Sequence, residues 1–175
     1  MEPLPLHRCD ELLDRLGFRR SRQEKLFILS ITGGIPWYLE QIKPQYSALD
    51  NIKKLCFDKN GLLVNEFKFI FHDLFGRRSN IFSRIVKSLV EKPMSYQDIA
   101  NKLNYSKGSA LTDYLNELIV SGYIHQFSQW NFKTGTTSTI SKYRISDNFL
   151  RFYLKFVDKK RETILKGRLR YIDIS

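Results

Sequence analysis

Hydroxyl and basic side chains cluster at the start of the third helix predicted in the second half of the chain. Ser106 precedes this helix as a cap, and Lys107, Ser109 and Thr112 belong to its outward N-terminal positions. A helix N-terminus already favours anions, and Ser and Lys side chains suit contacts to phosphates and base edges. The pattern predicts contact with the phosphate backbone of duplex DNA, although Asp113 opposes that positive field.

Further basic residues flank this helix in the sequence. Lys133 and Thr134 stand in a polar turn between two predicted strands, and Arg77, Arg78 and Arg84 lie on or just before an earlier helix. We expect both groups to contact the DNA backbone beside the helix. The predicted recognition helix offers no arginine for bidentate base contacts, so base-specific readout is expected to be weak. The alternative is that this surface packs against protein.

The sequence contains no constellation typical of catalysis or metal binding. His7, His72 and His125 are dispersed, with no second ligand at the spacing of a metal site. Cys9 and Cys56 lie far apart and lack a Cys-x-x-Cys spacing, so we expect reduced, buried or half-buried thiols in a cytoplasmic protein. No Ser-His-Asp or Cys-His arrangement has support in the sequence. We therefore predict no catalytic residue, no metal ligand and no enzymatic activity.

Composition and charge bound the class of protein. The 175 residues are 42% hydrophobic and 14% aromatic, which is enough for a packed core and excludes global disorder. The formal charge is +11, of which residues 1–75 contribute +1, residues 76–150 contribute +5 and residues 151–175 contribute +5. No apolar run is long enough for a membrane span, and no secretory signal is recognisable. The asymmetry indicates a polyanionic partner.

Helix start and stop signals organise residues 1–75 into an all-helical unit. Ser21 and Glu24 form a capping box, and Gly33-Gly34 ends the helix that they begin. Pro36 suits the first turn of a further helix, expected to run from Trp37 to about residue 43. Apolar spacing predicts two more helices, over residues 47–57 and 62–75.

Residues 76–146 follow a different pattern. Helices are predicted over residues 80–90, after Ser95 and after Ser106, and the apolar period then changes from 3.6 to 2 over residues 123–130. Residues 139–145 form the returning strand. This order predicts a winged helix-turn-helix with a two-stranded wing. Asp147 caps a C-terminal helix and basic tail over residues 147–175, so the expected fold is mainly α.

Two segments resemble a known family. They are Thr32–Glu40, which reads TGGIPWYLE, and Ser141–Val157, which reads SKYRISDNFLRFYLKFV. Together with the opening Glu2-Pro3-Leu4, they resemble the archaeal-type P-loop ATPases of the STAND/AAA-related class over about residues 2–157. The resemblance implies a helical lid followed by a winged helix, with Gly34 and Pro36 in the lid motif near the nucleotide. Asn148 replaces a proline often found in that family.

The nucleotide-binding core of that family is absent from this sequence. There is no Gly-x-x-x-x-Gly-Lys-Ser/Thr phosphate loop and no strand ending in the acidic pair that holds Mg²⁺. We therefore expect a C-terminal regulatory or DNA-binding part of such an ATPase, which binds no ATP or Mg²⁺ and hydrolyses no ATP by itself. The alternative is a protein-interaction module that docks on a P-loop ATPase domain through Pro36, Trp37 and Tyr38.

Overall fold

The computed structural model describes residues 3–105 and 109–169, except for the side chains of Lys68 and Ser109. The chain is 59% helical with a small antiparallel sheet, so the prediction of a mainly α fold is confirmed. It forms two compact units. The first unit combines residues 1–67 with residues 156–175, and the second unit is residues 68–155. The predicted limits after residues 75 and 146 both lie within the second unit.

Helices and strands are numbered here in chain order. They are α1 (Leu6–Arg15), α2 (Arg22–Thr32), α3 (Pro36–Leu39), α4 (Ala48–Cys56), α5 (Glu66–Phe75), α6 (Ser79–Ser88), β1 (Met94–Ser95), α7 (Tyr96–Leu103), α8 (Ser109–Val120), β2 (Ile124–Asn131), β3 (Thr136–Ile145), α9 (Asn148–Phe152) and α10 (Arg161–Leu165). Short 3₁₀ turns lie at Leu62–Val64, Gly76–Arg78 and Asp158–Lys160, and a π-helical turn follows α9 at Tyr153–Val157.

Capping residues fix the helix ends of the first unit. The Ser21 hydroxyl accepts a hydrogen bond from the Glu24 N–H at 3.2 Å, and Gly33 ends α2 in the left-handed region with φ +65°. The cap at Ser21 and the helix end at Gly33 are confirmed. The reciprocal half of the predicted capping box does not form, because the Glu24 carboxylate accepts the Ala48 N–H at 3.2 Å. The predicted helix beginning at Trp37 is shorter than expected, because α3 ends at Leu39. The buried Asn51 side chain holds the following segment instead, since its Oδ1 accepts the backbone N–H of residue 43 at 2.7 Å.

The core of the first unit joins α1 to α4, and its members are Cys9, Leu13, Phe18, Ile28, Leu39, Ile42 and Ala48. Beside it, Lys25 is 7% exposed and its Nζ lies 2.5 Å from Asp10 Oδ1 and 2.8 Å from Asp14 Oδ1. Burial disfavours the charged ammonium, but the hydrogen bonds and negative charges of the two aspartates outweigh it and raise the pKa of Lys25. This ion cluster ties α2 to α1.

The sheet of the second unit has the order β1-β3-β2 and is antiparallel throughout. The predicted two-stranded hairpin is confirmed, and among the described residues the sheet contains a further strand, β1, that was not predicted. Met94 and Ser95 of β1 pair with Tyr143 and Lys142 of β3. Two residues are too few to show an alternating pattern, so β1 could not be predicted from the sequence. Ser95 also caps α7 through the capping box with Asp98.

Stacked aromatic rings fill the core of the second unit. The Phe75 and Phe82 rings lie 3.9 Å apart, and Phe82 meets Tyr114 of α8 edge to face at 5.2 Å. Phe71 and Phe75 occupy the same face of α5 and are buried. Leu74 lies off that face and is 56% exposed. The predicted helix over residues 62–75 is also divided, because a 3₁₀ turn precedes α5.

Asp147 caps α9, as predicted. Its Oδ1 accepts the Leu150 N–H at 2.5 Å. The aromatic and apolar residues that follow are core rather than a surface for stacking bases, since Phe149, Leu150 and Tyr153 are all buried. None of the helices within the described ranges is both long and apolar enough to cross a bilayer.

Candidate nucleic-acid interface

Helix α8 presents one face to solvent. Leu111, Leu115 and Leu118 are buried, so Thr112 and Asp113 lie on the exposed side. Ser109 is the first residue of α8, and Ser106 and Lys107 lie outside the described residues. The structure therefore places Thr112 where the sequence predicted it, with Asp113 beside it.

Arg78 is already engaged within the second unit. One of its terminal guanidinium nitrogens donates to Glu117 Oε1 of α8 at 2.6 Å, and its guanidinium lies 5.5 Å from the Phe82 ring. This pair attaches the start of α6 to the second half of α8. A phosphate that contacts Arg78 has to compete with the Glu117 carboxylate. Arg77, the neighbouring residue, is exposed.

Arg84 has a structural role in the second unit. One of its terminal nitrogens donates to the Leu103 carbonyl at 3.0 Å, at the end of α7. The Lys102 ammonium donates in the opposite direction, to the Ser88 carbonyl at the end of α6, at 3.1 Å. These bonds satisfy carbonyls that a helix end leaves without intrahelical partners. The predicted contact between Arg84 and DNA therefore receives no support from its position.

The turn between β2 and β3 carries Lys133 and Thr134, and both residues are exposed. The Lys133 N–H donates to Asn131 Oδ1 at 3.0 Å, and the Gly135 N–H donates to the Asn131 carbonyl at 2.9 Å. The backbone of the turn is thus held internally while the Lys133 ammonium is left in solvent. Phe132, which is 92% exposed, also belongs to this turn. The exposure of Phe132 could not be predicted from the sequence, because an aromatic residue at a strand end gives no burial signal.

The outward face of the sheet was not identified from the sequence. In the β2–β3 register, His125 pairs with Arg144 and Phe127 pairs with Lys142. The Arg144 guanidinium lies 5.6 Å from the Phe127 ring. Because side chains alternate along a strand, these four residues lie on the face opposite Ile124. The alternating pattern in the sequence indicates which residues of one strand share a face, but only the strand register reveals which cationic residues of the two strands are neighbours.

An open cleft of about 480 Å³ lies at the base of this hairpin. The residues that line it include the cationic or titratable His125, Arg144 and Arg151, and the apolar Ile119, Ile124 and Ile145. Ile124 and Ile145 are buried on the opposite face of the sheet from His125 and Arg144, so the partly exposed apolar side chain is that of Ile119. No carboxylate is among the residues that line it. The neighbouring Asp147 is turned toward α9, where it serves as the cap described above. The residues that line the cleft therefore carry positive charge, and Ile119 adds a partly exposed apolar side chain.

Burial raises the pKa of Asp147, although the hydrogen bonds from the Leu150 and Phe149 N–H groups oppose this effect. An acid whose pKa is raised on folding contributes stability that is present below its unfolded pKa and lost as the pH rises through its folded pKa. At neutral pH, the free-energy cost of burying the ionised Asp147 carboxylate therefore offsets part of the stability that the cap contributes.

Asp147→Asn is expected to increase the free energy of unfolding at pH 7, because asparagine keeps the capping oxygen and removes the buried charge. Asp147→Ala is expected to lower it by about 1 kcal/mol through loss of the cap. Urea unfolding between pH 4 and pH 7 measures both effects. The advantage of the Asn variant should shrink toward pH 4, and an advantage independent of pH would contradict the role of the buried charge.

The Gly33-Gly34 segment of the lid motif does not form a phosphate site. The Gly33 and Ile35 N–H groups donate to the carbonyls of Leu29 and Thr32, and Pro36 has no N–H to offer. The Gly34 carbonyl accepts the Leu4 N–H at 2.9 Å. A phosphate loop needs successive unpaired N–H groups and a lysine, so these residues do not fit the phosphates of ATP.

Comparison with known proteins gives a distant archaeal relative. The chain is 29% identical over 147 residues to the uncharacterized protein MJECL04 of Methanocaldococcus jannaschii. The alignment covers 83% of this chain and 32% of that protein, so the chain spans about a third of the relative's length. No family model matches the chain, and no solved structure gives a significant match.

Proposed function

We propose that the second unit is a winged helix that binds duplex DNA largely through phosphate contacts. The observation that carries this proposal is the element order α6-β1-α7-α8-β2-β3 with β1 paired to β3. This order and pairing match a winged helix-turn-helix, in which the third helix is the recognition helix and the hairpin is the wing. Helix α8 and the β2–β3 turn then take those two positions.

The charge of the second unit supports the same proposal. It has 13 Lys and Arg residues against 6 Asp and Glu residues, which accounts for most of the excess positive charge of the chain. Arg78 and Arg84 are left out of the proposed set of DNA-contacting residues, because both already form hydrogen bonds within the second unit. The set consists of Arg77, Ser106, Lys107, Ser109, Thr112, Lys133 and Thr134.

We further propose that the chain acts by binding and does not hydrolyse ATP by itself. The paired N–H groups around Gly34 support this, together with the absence of a phosphate-loop sequence. Within the resemblance to archaeal-type ATPases, the chain corresponds to the regulatory part that follows the nucleotide domain. The archaeal source and greater length of the relative are compatible with that assignment.

Fluorescence anisotropy with a random-sequence duplex, measured over a range of salt concentrations, tests the DNA proposal. The logarithm of the association constant should fall linearly with the logarithm of salt concentration, with a slope of about −0.9 for each phosphate contacted. Three or four contacts predict a slope of about −3. Absence of binding at low salt, despite a formal charge of +11, would reject the proposal.

The second candidate function is docking on a P-loop ATPase domain. Of the residues predicted to dock, Tyr38 is buried, so this candidate is favoured instead by exposed apolar side chains elsewhere in the first unit. These are Leu6 (63% exposed), Leu26 (52%) and Leu62 (50%). Calorimetry with an archaeal P-loop domain added in trans tests it. Binding that is lost on Trp37→Ala and Leu26→Ser would support docking, and no heat of binding would oppose it.

A further inference from the structure

We propose that the cleft at the base of the β2–β3 hairpin binds the phosphate group of a small organic phosphate monoester. Four elements converge on this cleft, since Ile119 comes from α8, His125 from β2, Arg144 from β3 and Arg151 from α9. The site does not depend on the proposed DNA contacts. It would be a separate anion site near the end of α8.

The strand register places two of the cationic groups side by side. His125 and Arg144 are direct partners across the antiparallel pair, which sets their Cβ atoms about 5 Å apart on one face of the sheet. Arg151 lines the same cleft from α9. Guanidinium groups bind phosphate oxygens bidentately, and an imidazole beside them adds a further donor when protonated. A phosphate dianion would neutralise their mutual repulsion.

These arginines are not neutralised by carboxylates. Among the described residues, neither Arg144 nor Arg151 forms an ion pair, in contrast to Lys25 and Arg78. The contact of Arg144 is with the Phe127 ring, which fixes the side chain without supplying a negative charge. The Asp147 carboxylate accepts the Leu150 N–H. The cleft therefore contains two cations for which the described part of the chain provides no counter-charge.

The shape of the cleft favours a small molecule over a duplex. A volume of about 480 Å³ lies in the range of small-molecule sites, and the partly exposed Ile119 side chain offers an apolar contact beside the cations. The wing turn begins beyond Asn131, six residues along β2 from His125, which is about 20 Å at 3.3 Å per residue. DNA bound at the turn would leave the cleft accessible. The ligand chemistry is thus a phosphate attached to a compact apolar or aromatic body.

Nuclear magnetic resonance titration of the three histidines tests this proposal with internal controls. Inorganic phosphate and adenosine monophosphate are added separately to the full chain, and the imidazole resonances are followed from about pH 5 to pH 8. A bound phosphate accepts a hydrogen bond from the His125 imidazole, so we expect the His125 ring resonances to shift as either ligand is added. The exposed His7 and His72 should not respond. Equal shifts at all three histidines would overturn the proposal.

The double variant Arg144→Gln/Arg151→Gln separates the site from general electrostatics. It should weaken phosphate binding at least tenfold, whereas Lys43→Gln/Lys59→Gln, with the same change in net charge, should leave it unchanged. Arg151→Gln alone is the fallback if the double variant does not fold. Unchanged affinity in the cleft variants would overturn the proposal. DNA affinity within about threefold of wild type would show that the cleft and the DNA surface are separate.

The two ligands distinguish the sources of the phosphate. Tighter binding of the monophosphate than of inorganic phosphate would show that apolar contacts, such as that of Ile119, contribute to recognition. Equal affinity would assign the site to phosphate alone and would overturn the assignment of an organic ligand. Failure of both ligands to bind, with DNA binding intact, would reject the cleft proposal while leaving the proposed function standing.

Discussion

The double variant Lys107→Glu/Lys133→Glu is expected to bind random-sequence duplex DNA about a hundredfold more weakly than the wild type at low salt. Lys133 stands exposed in the turn between β2 and β3, and Lys107 immediately precedes the α8 region in the sequence. Each substitution replaces an attraction to phosphate by a repulsion. The salt dependence should also become shallower, by about one unit of slope for each lost contact.

A matched control removes the effect of net charge from this comparison. Lys43→Glu/Lys59→Glu changes the formal charge from +11 by the same amount, but both positions lie in the first unit. We expect its DNA affinity to fall only a few-fold, through long-range attraction alone. Equal losses in the two double variants would show that binding follows net charge rather than the proposed surface.

Gly34→Ala is expected to lower the free energy of unfolding by about 2 to 4 kcal/mol. Gly34 has φ +75°, which disfavours any residue with a Cβ. An added Cβ would also lie 3.0 Å from Cys9 Sγ and 3.1 Å from the Leu4 carbonyl oxygen. These neighbours are fixed, because Leu4 N–H donates to the Gly34 carbonyl and Cys9 is a core residue. Chemical denaturation followed by circular dichroism measures the loss.

Gly17→Ala is the control for this prediction. Gly17 lies in the same unit with a similar φ of +84°, but its Cβ would meet the Pro44 ring at an ordinary distance of 3.6 Å. Gly17→Ala should lower the free energy of unfolding by about 1 to 2 kcal/mol, because only the backbone conformation disfavours the added Cβ. Equal losses at Gly17 and Gly34 would show that the contact with Cys9 and Leu4 carries no cost.

Local signals in the sequence predicted the elements well. Ser21, Ser95 and Asp147 each cap a helix as predicted, because a capping residue acts on backbone groups two or three positions away. The hairpin was also predicted, since alternation and the polar turn are local patterns. The strand β1 was not, because its pairing with β3 depends on residues nearly fifty positions apart.

The candidate site was harder to predict than the elements. The sequence shows that Arg78 and Arg84 are basic, but their partners Glu117 and Leu103 are brought near by tertiary packing. The cleft escaped the sequence analysis for a related reason. His125 and Arg144 are nineteen positions apart, and a shift of one residue in the strand register would place them on opposite faces.

The first unit is discontinuous, and this matters while the chain is being synthesised. Its early part contains Asn65, whose Oδ1 accepts the Arg161 Nε–H at 3.1 Å, and α10 adds the buried Ile164. The second unit is contiguous and emerges from the ribosome before these later residues do. All residues of the second unit therefore lie in one continuous stretch, whereas residues 1–67 cannot complete the first unit until α10 has been synthesised.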